Sequence, residues 1–121
     1  MAASDPRARK RTPLPGTPVR GSLTGRPAMA LLDLLGRRWA LRVLWELRLA
    51  DAPTFRELQA RCDGVSSSVL SDRLRELRDA GIVATEGRAG YLLTPEGREL
   101  LQALAPLDAW AKRWAERTDP R

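Results

Sequence analysis

Apolar residues recur every three or four positions along most of the chain, which is the spacing of an amphipathic helix. This pattern predicts a first helix over residues 28–35 and a second over residues 37–49. A third helix over residues 54–61 follows a proline break, and Thr54 can cap it because Glu57 stands at capping-box spacing. We therefore expect three consecutive helices in the first half of the chain.

A fourth helix is predicted to begin after Ser66 or Ser67, since either hydroxyl can cap it, and to stop at Gly81. At 100° per residue its leucines share one face and its charged and hydroxyl side chains fall opposite. The apolar face consists of Leu70, Leu74 and Leu77. That face is expected to be buried.

Two short β-prone runs, residues 82–86 and 91–94, enclose a Gly-containing loop and predict a hairpin. Residues 94–96 then combine a capping threonine, a proline at the first helical position and an acid, which favours a last helix. This helix is predicted to run toward Arg117, with a kink at Pro106. The element order predicts a mainly α winged helix-turn-helix domain with a small β-hairpin.

The positive charge of the chain lies mainly in residues 1–26, which carry six Lys/Arg against one acid. The remaining residues carry fifteen Lys/Arg against fourteen acids. Because the first segment is rich in Pro and Gly and poor in apolar residues, we predict a flexible basic arm over residues 1–26 and a folded domain over residues 27–118. Deleting residues 1–25 is expected to leave the fold intact. A positive tail favours a polyanionic partner.

The composition limits the chemistry that the chain can perform. It contains no histidine, which removes the commonest metal ligand and general base. The Asp and Glu residues show no spacing typical of a metal site or of paired-carboxylate catalysis. We therefore expect no enzyme activity, no metal and no cofactor.

The single cysteine, Cys62, cannot form an internal disulfide, which fits a reducing compartment and a cytoplasmic location. We expect a buried, inert thiol at this position. The sequence lacks an apolar run of the roughly 20 residues that a membrane helix needs, so no membrane partner is expected.

Residues 27 to about 114 resemble the HxlR-type transcriptional regulators, a branch of the MarR-like winged-helix proteins. The matching stretches, in the order and spacing of that family, are residues 30–39, 55–58, 69–77, 80–83 and 91–100. The resemblance implies a bacterial regulator that binds double-stranded DNA as a homodimer, with terminal helices forming the dimer contact. A small-molecule effector is a further candidate partner.

In a helix-turn-helix pair, the N-terminal residues of the second helix meet base edges in the major groove. The candidate DNA contacts are Ser66, Ser67, Ser68, Ser71, Asp72, Arg73, Arg75 and Arg88. Arg75 projects opposite the leucine face, where it can read a base. Arg73 lies at the edge of that face, where its stem can pack while its head reaches the DNA backbone. Replacing either arginine is not expected to unfold the domain.

The chain departs from the HxlR pattern at three places. Arg26 stands where the family often carries a redox-sensing cysteine. Ser67 and Ser68 stand where the family often has Gln and a basic residue. The hairpin is short, with Arg88 as the basic residue at its tip.

An apolar stripe with a period of about 3.5 residues follows the last helix, as in a seam between two helices. The predicted dimer interface consists of Leu100, Leu104, Leu107, Trp110 and Trp114. For the two tryptophans, core packing and a small-molecule pocket stay open as alternatives. Trp39 stands at a core position of the family, and Trp45 stands where the family has a polar residue.

Two functions from different classes fit the sequence. The first is a dimeric, sequence-specific DNA-binding transcriptional regulator. The alternative is a winged-helix module that binds protein and has weak or no operator recognition. Salt dependence separates them, because binding to DNA weakens steeply with salt through counterion release.

Overall fold

The structure, a computed structural model, describes residues 11–87 and 90–118. The elements follow in chain order as α1 (Pro27–Leu35), α2 (Ala40–Glu46), a 3-10 turn (Leu47–Leu49), α3 (Phe55–Arg61), α4 (Ser67–Asp79), β1 (Val83–Glu86), β2 (Gly90–Leu93) and α5 (Pro95–Thr118). The predicted order of four helices, a hairpin and a last helix is confirmed.

Local sequence signals determine the ends of α3 and α4. The Glu57 backbone N–H donates to the Thr54 hydroxyl at 3.1 Å, and the Thr54 backbone N–H donates to the Glu57 carboxylate at 2.8 Å. This backbone hydrogen bond from Thr54 is the main reason why the pKa of Glu57 lies below its usual value. The Val69 N–H donates to the Ser66 hydroxyl at 3.2 Å, so Ser66 caps α4. Gly81 lies just past the end of α4 in the left-handed conformation, with φ 77°.

The second helix is shorter than its apolar pattern predicts. An α-helix spans Ala40–Glu46 and a 3-10 turn covers Leu47–Leu49, instead of one helix over residues 37–49. Trp39 takes a left-handed backbone conformation with φ 72° and ends the turn that precedes α2. Its side chain packs against the core, and this burial offsets the strain of the left-handed backbone.

The hairpin is antiparallel, with Val83 opposite Leu93. Thr94 connects it to α5, because its backbone N–H donates to the Ile82 carbonyl at 2.9 Å and its hydroxyl accepts from the Gly97 N–H at 3.0 Å. A Cβ at Gly97 would lie 2.2 Å from the Ile82 carbonyl oxygen. The absence of a side chain at Gly97 therefore allows the first turn of α5 to approach the hairpin closely.

Every helix and the hairpin contribute to one apolar core. The predicted face of α4 is buried, with Leu70, Leu74 and Leu77 at most 3% exposed. Leu44 from α2 and Leu58 from α3 are fully buried beside them. The core thus holds α4 by one face and leaves its opposite face in solvent.

A carboxylate is buried on α4 together with these leucines. Glu76 is 1% exposed, and its Oε2 accepts from Arg37 Nη1 at 2.6 Å. Arg73 Nε lies 3.0 Å from Glu76 Oε1 in an ion pair that lacks hydrogen-bond alignment. A buried charge is costly unless it is paired, so both arginines are needed where they lie. The apolar pattern of α4 did not single out Glu76.

Residues 11–26 lie against the folded domain. Thr12 is 6% exposed, and its hydroxyl donates to the Asp79 carboxylate at 2.8 Å. The Arg37 guanidinium donates to the Arg11 carbonyl at 3.2 Å. The segment therefore contacts both α4 and the turn between α1 and α2.

The same segment is held along α1, where the Arg20 backbone N–H donates to the Asp33 carboxylate at 3.1 Å. Residues 11–25, which the sequence assigned to a flexible arm, therefore make hydrogen bonds with the folded domain. Their polar backbone finds partners on the domain, and prolines reduce the conformational entropy that is lost on ordering. Residues 1–10 lie outside the described part of the chain.

We predict that replacing Glu76 with Ala lowers the free energy of unfolding by about 3–5 kcal/mol, because Arg37 and Arg73 lose their shared buried carboxylate. Chemical denaturation monitored by tryptophan fluorescence measures the change. The control is Glu99→Ala on the exposed surface of α5, where we expect a change within about 0.5 kcal/mol. Equal stabilities of the two variants would show that the buried network does not hold α4.

Candidate nucleic-acid interface

Helices α3 and α4 form a pair joined by a short turn. The Gln59 side chain of α3 donates to the Val65 carbonyl at 3.3 Å and to the Ser67 hydroxyl at 3.1 Å. Gly64 in the turn has a φ of 88°, which favours glycine. These contacts fix the angle at which the first turn of α4 leaves α3.

The four predicted serines lie on the exposed surface of α4. Ser66 uses its hydroxyl as the helix cap, and Ser67 is bonded to Gln59. The Ser68 hydroxyl lies 3.5 Å from that of Ser66, while Ser71 lies one turn further along. The structure thus brings the serines together on one face, with two of their hydroxyls already engaged within the chain.

Asp72 and Arg75 are half-buried neighbours on the same side of α4. The Arg75 guanidinium lies 3.9 Å from the Asp72 carboxylate and 3.7 Å from that of Asp79. It also lies 3.9 Å from Glu76. Arg75 is therefore surrounded by acids, and exposed ion pairs of this kind contribute little to stability because solvent screens them.

The sequence predicts that the head of Arg73 reaches the DNA backbone, but in the structure this head points toward Glu76. Its side chain is 15% exposed, pairs with Glu76, and donates to the Arg38 carbonyl at 3.5 Å. Its head is thus directed at a buried carboxylate rather than freely into solvent. Replacing Arg73 would remove one partner of the buried Glu76, so a loss of stability is expected even if the domain stays folded. Arg88, the remaining predicted contact, lies outside the described residues.

An open cleft of about 560 Å³ adjoins the first turn of α4. We call it the arginine cleft, and its charged side chains are Arg20, Arg37, Arg38 and Arg73. Ser66, the cap of α4, also lines it. No sequence pattern connects Arg20 and Arg38 with α4, because they are distant from it in the chain and only the fold brings them beside it.

The residues of the predicted dimer interface divide into two groups. Leu100 and Leu104 are half-buried and pack against the core of the same chain. Leu107, Trp110 and Trp114 are 60%, 47% and 51% exposed. The two indole rings stack with centroids 5.8 Å apart and an angle of 12° between their planes. The second half of α5 therefore presents an apolar surface to solvent.

Trp45 borders an apolar groove of about 770 Å³ between α2 and α5. The side chain is 46% exposed, and the Arg48 guanidinium lies 3.9 Å from the centre of its ring. Leu41 and Leu101 are among the apolar residues of the groove. The local sequence around Trp45 does not indicate this groove, because α5 reaches it from a distant part of the chain.

Cys62 is fully buried at the end of α3, as predicted. Burial is the main cause that raises the pKa of its thiol. A raised pKa keeps the sulfur protonated at neutral pH, and the thiol is then a poor nucleophile.

Within residues 11–87 and 90–118, no cluster of His, Cys, Asp and Glu is arranged to hold a metal ion. Among the helices of these residues, none has the length and the hydropathy of a membrane-spanning segment.

Comparison with known proteins assigns this fold to a family. Residues 34–119, well over half of the chain, match the family model of the HxlR-like helix-turn-helix proteins. The chain belongs to the HxlR-like helix-turn-helix family. The resemblance found in the sequence is thereby confirmed.

Individual relatives and solved structures support the assignment. The chain is 33% identical over 91 residues to YvaP, an uncharacterized HTH-type transcriptional regulator of Bacillus subtilis (strain 168), across 70% of this chain and 83% of YvaP. The crystal structure of a possible HxlR family transcriptional factor from Thermoplasma volcanium GSS1 is similar with a TM-score of 0.64 and 26% identity, over 74% of this chain and 85% of that one. Quinone-bound YodB from B. subtilis gives a TM-score of 0.65 and 30% identity, over 72% and 98% of the two chains.

These matches confirm the predicted winged helix-turn-helix fold. The HxlR-like family consists of transcriptional regulators, which is the function class that the sequence predicted. In this HxlR-type chain α3 and α4 form the helix-turn-helix pair, and β1 and β2 form the wing.

We predict that Cys62 of this HxlR-type protein does not react with a water-soluble disulfide reagent at neutral pH while the protein is folded, since the thiol is buried and its pKa is raised. Spectrophotometric thiol titration with and without denaturant measures this. About one thiol per chain should react after unfolding. Fast modification of the native protein would contradict the structural role of Cys62.

Proposed function

We propose that this protein is a dimeric, sequence-specific transcriptional regulator that binds double-stranded DNA through the exposed face of α4. The observation that carries the proposal is the orientation of α4, whose leucines are buried while its capped first turn faces solvent. A helix anchored in this way can enter the major groove without disturbing the core. The proposed contacts are Ser66, Ser67, Ser68, Ser71, Asp72, Arg75 and Arg88, whereas Arg73 is paired with the buried Glu76.

Within this set, Arg75 is the candidate for reading a base. A guanidinium can donate two hydrogen bonds to a guanine edge. Here it lies among the carboxylates of Asp72 and Asp79, so it must exchange acidic partners for the base. Asp72, once separated from Arg75, can accept from a cytosine amine. The pair therefore favours a G·C base pair at the position that it faces.

The homodimer is proposed to form through the second half of α5. Leu107, Trp110 and Trp114 expose large apolar side chains side by side, and monomeric proteins rarely leave such surfaces uncovered. A second copy of α5 would cover them across a two-fold axis. Two α4 helices held by one dimer would then meet two half-sites on one face of the DNA.

A small-molecule effector is the remaining proposed partner, with the apolar groove beside Trp45 as its candidate site. A volume of about 770 Å³ is within the range of small-ligand pockets. The crystal structure of YodB, a similar protein, is of a quinone-bound form. We propose that the regulator acts in the cytoplasm, where bacterial DNA lies, without a cofactor or a membrane partner.

For DNA binding, we predict that Arg75→Ala weakens binding to the specific site by about 1–3 kcal/mol and relaxes the preference at one base pair. Fluorescence anisotropy on specific and scrambled duplexes at fixed salt measures both effects. The site is to be selected beforehand from random duplexes with the parent protein. The control is Arg113→Ala on the exposed surface of α5, away from α4, which should bind like the parent.

Two results would contradict this proposal. If the parent selects no sequence, operator recognition fails and the protein-binding alternative gains support. If Arg75→Ala keeps full affinity and full preference, the assignment of the base-reading residue is wrong.

For dimerisation, we predict a dimer mass in light scattering at micromolar concentration and a shift toward monomer in Trp114→Ser. The substitution removes one ring of the exposed stack and so reduces the apolar area that a second copy buries. The control is Lys112→Ser, because Lys112 lies on the other side of α5 and pairs with Asp108 at 3.2 Å. A monomer mass for the parent would exclude this interface.

A further inference from the structure

The arginine cleft concentrates positive charge at one end of α4. Two of its arginines, Arg37 and Arg73, are paired with the buried carboxylate of Glu76. Arg37 also lies 4.0 Å from the Asp33 carboxylate. Four guanidinium groups thus meet two carboxylates, which leaves an excess of two positive charges.

The unbalanced charges belong to Arg20 and Arg38. Both side chains are exposed, and within residues 11–87 and 90–118 neither guanidinium has a carboxylate partner. Their backbones are nevertheless fixed, since the Arg20 N–H donates to Asp33 and the Arg38 carbonyl accepts from Arg73. Two arginines without a carboxylate partner among the described residues therefore line the cleft from fixed backbone positions.

The place of these charges points to an anion. Ser66 lines the cleft and is the cap of α4, so the positive end of a 13-residue helix faces the same space. Gly36 and Gly64 also line the cleft and leave room there because they carry no side chain. Like charges gathered in this way repel one another, and an anion with several oxygen acceptors relieves the repulsion.

We propose that the arginine cleft binds a phosphate of the DNA backbone beside the first turn of α4, with Arg20 and Arg38 as its charged donors. This inference rests on the proposed DNA-binding function and adds two contacts to it. A phosphate held here fixes the position of α4 along the groove, whereas the exposed face of α4 reads the bases. The N-terminal segment thereby becomes part of the interface, because Arg20 belongs to it.

The test compares Arg20→Gln, Arg38→Gln and the double variant in fluorescence anisotropy over a series of salt concentrations. Each lost phosphate contact should reduce the slope of log K against log salt by about 0.9 and weaken specific and scrambled duplexes by the same factor. In the double variant the slope should decrease by about twice that amount. Arg38→Lys should restore most of it, since a single positive charge is kept.

Arg113→Gln is the matched control, an exposed arginine on α5 outside the cleft, and its slope should equal that of the parent. Thermal melts should be equal for all variants, because neither Arg20 nor Arg38 has a side-chain partner among the described residues. A double variant with the parent slope would overturn the cleft proposal and leave DNA binding itself standing.

Inorganic phosphate distinguishes the two sources of the anion. We measure the melting temperature of the parent and of the double variant in phosphate and in chloride at equal ionic strength. If the parent binds no DNA but phosphate stabilises it and not the double variant, the cleft is an anion site and its assignment to DNA is wrong. If micromolar free phosphate already saturates the arginine cleft, the assignment of the cleft to DNA is likewise wrong.

Discussion

The pairing of the buried Glu76 carboxylate with Arg37 and Arg73 is the interaction on which the position of α4 depends. Arg37 comes from the turn after α1 and reaches both Glu76 and the Arg11 carbonyl. One carboxylate therefore connects α4 with the turn after α1 and with the N-terminal segment. Because a charge buried at 1% exposure cannot be left unpaired, these three elements are constrained together.

The pairing of Glu76 also determines which side chains of α4 are exposed at its surface. Its leucines anchor one side in the core, and Arg73 is drawn toward Glu76. In the interface that we propose, Arg20 and Arg38 at the arginine cleft provide positive charge for the DNA backbone. The first turn of α4 itself carries serines, which are neutral and short. The interface that we propose thus separates base contacts on α4 from phosphate contacts beside it.

Helix α5 packs against the domain in its first turns and is exposed to solvent in its second half. Its first turns are held by Thr94 and by the close approach at Gly97, and Leu100 packs against the core. Beyond these turns the helix leaves the domain, and Trp110 and Trp114 stack on each other with half of their surface in solvent. Stacking within one chain hides only part of the apolar area, so covering the rest would stabilise an assembly of two chains.

Features that depend on neighbouring residues could be predicted from the sequence alone. The capping box at Thr54, the cap at Ser66 and the buried leucines of α4 follow from hydrogen bonds and periodicities within a few residues. The folded structure was needed to reveal the turn at Trp39, the packing of residues 11–25, the burial of Glu76 and the arginine cleft. Each of these brings together groups that are far apart in the chain, so no local pattern of residues indicates it. The burial of Glu76, for example, depends on arginine partners that only the fold places beside it.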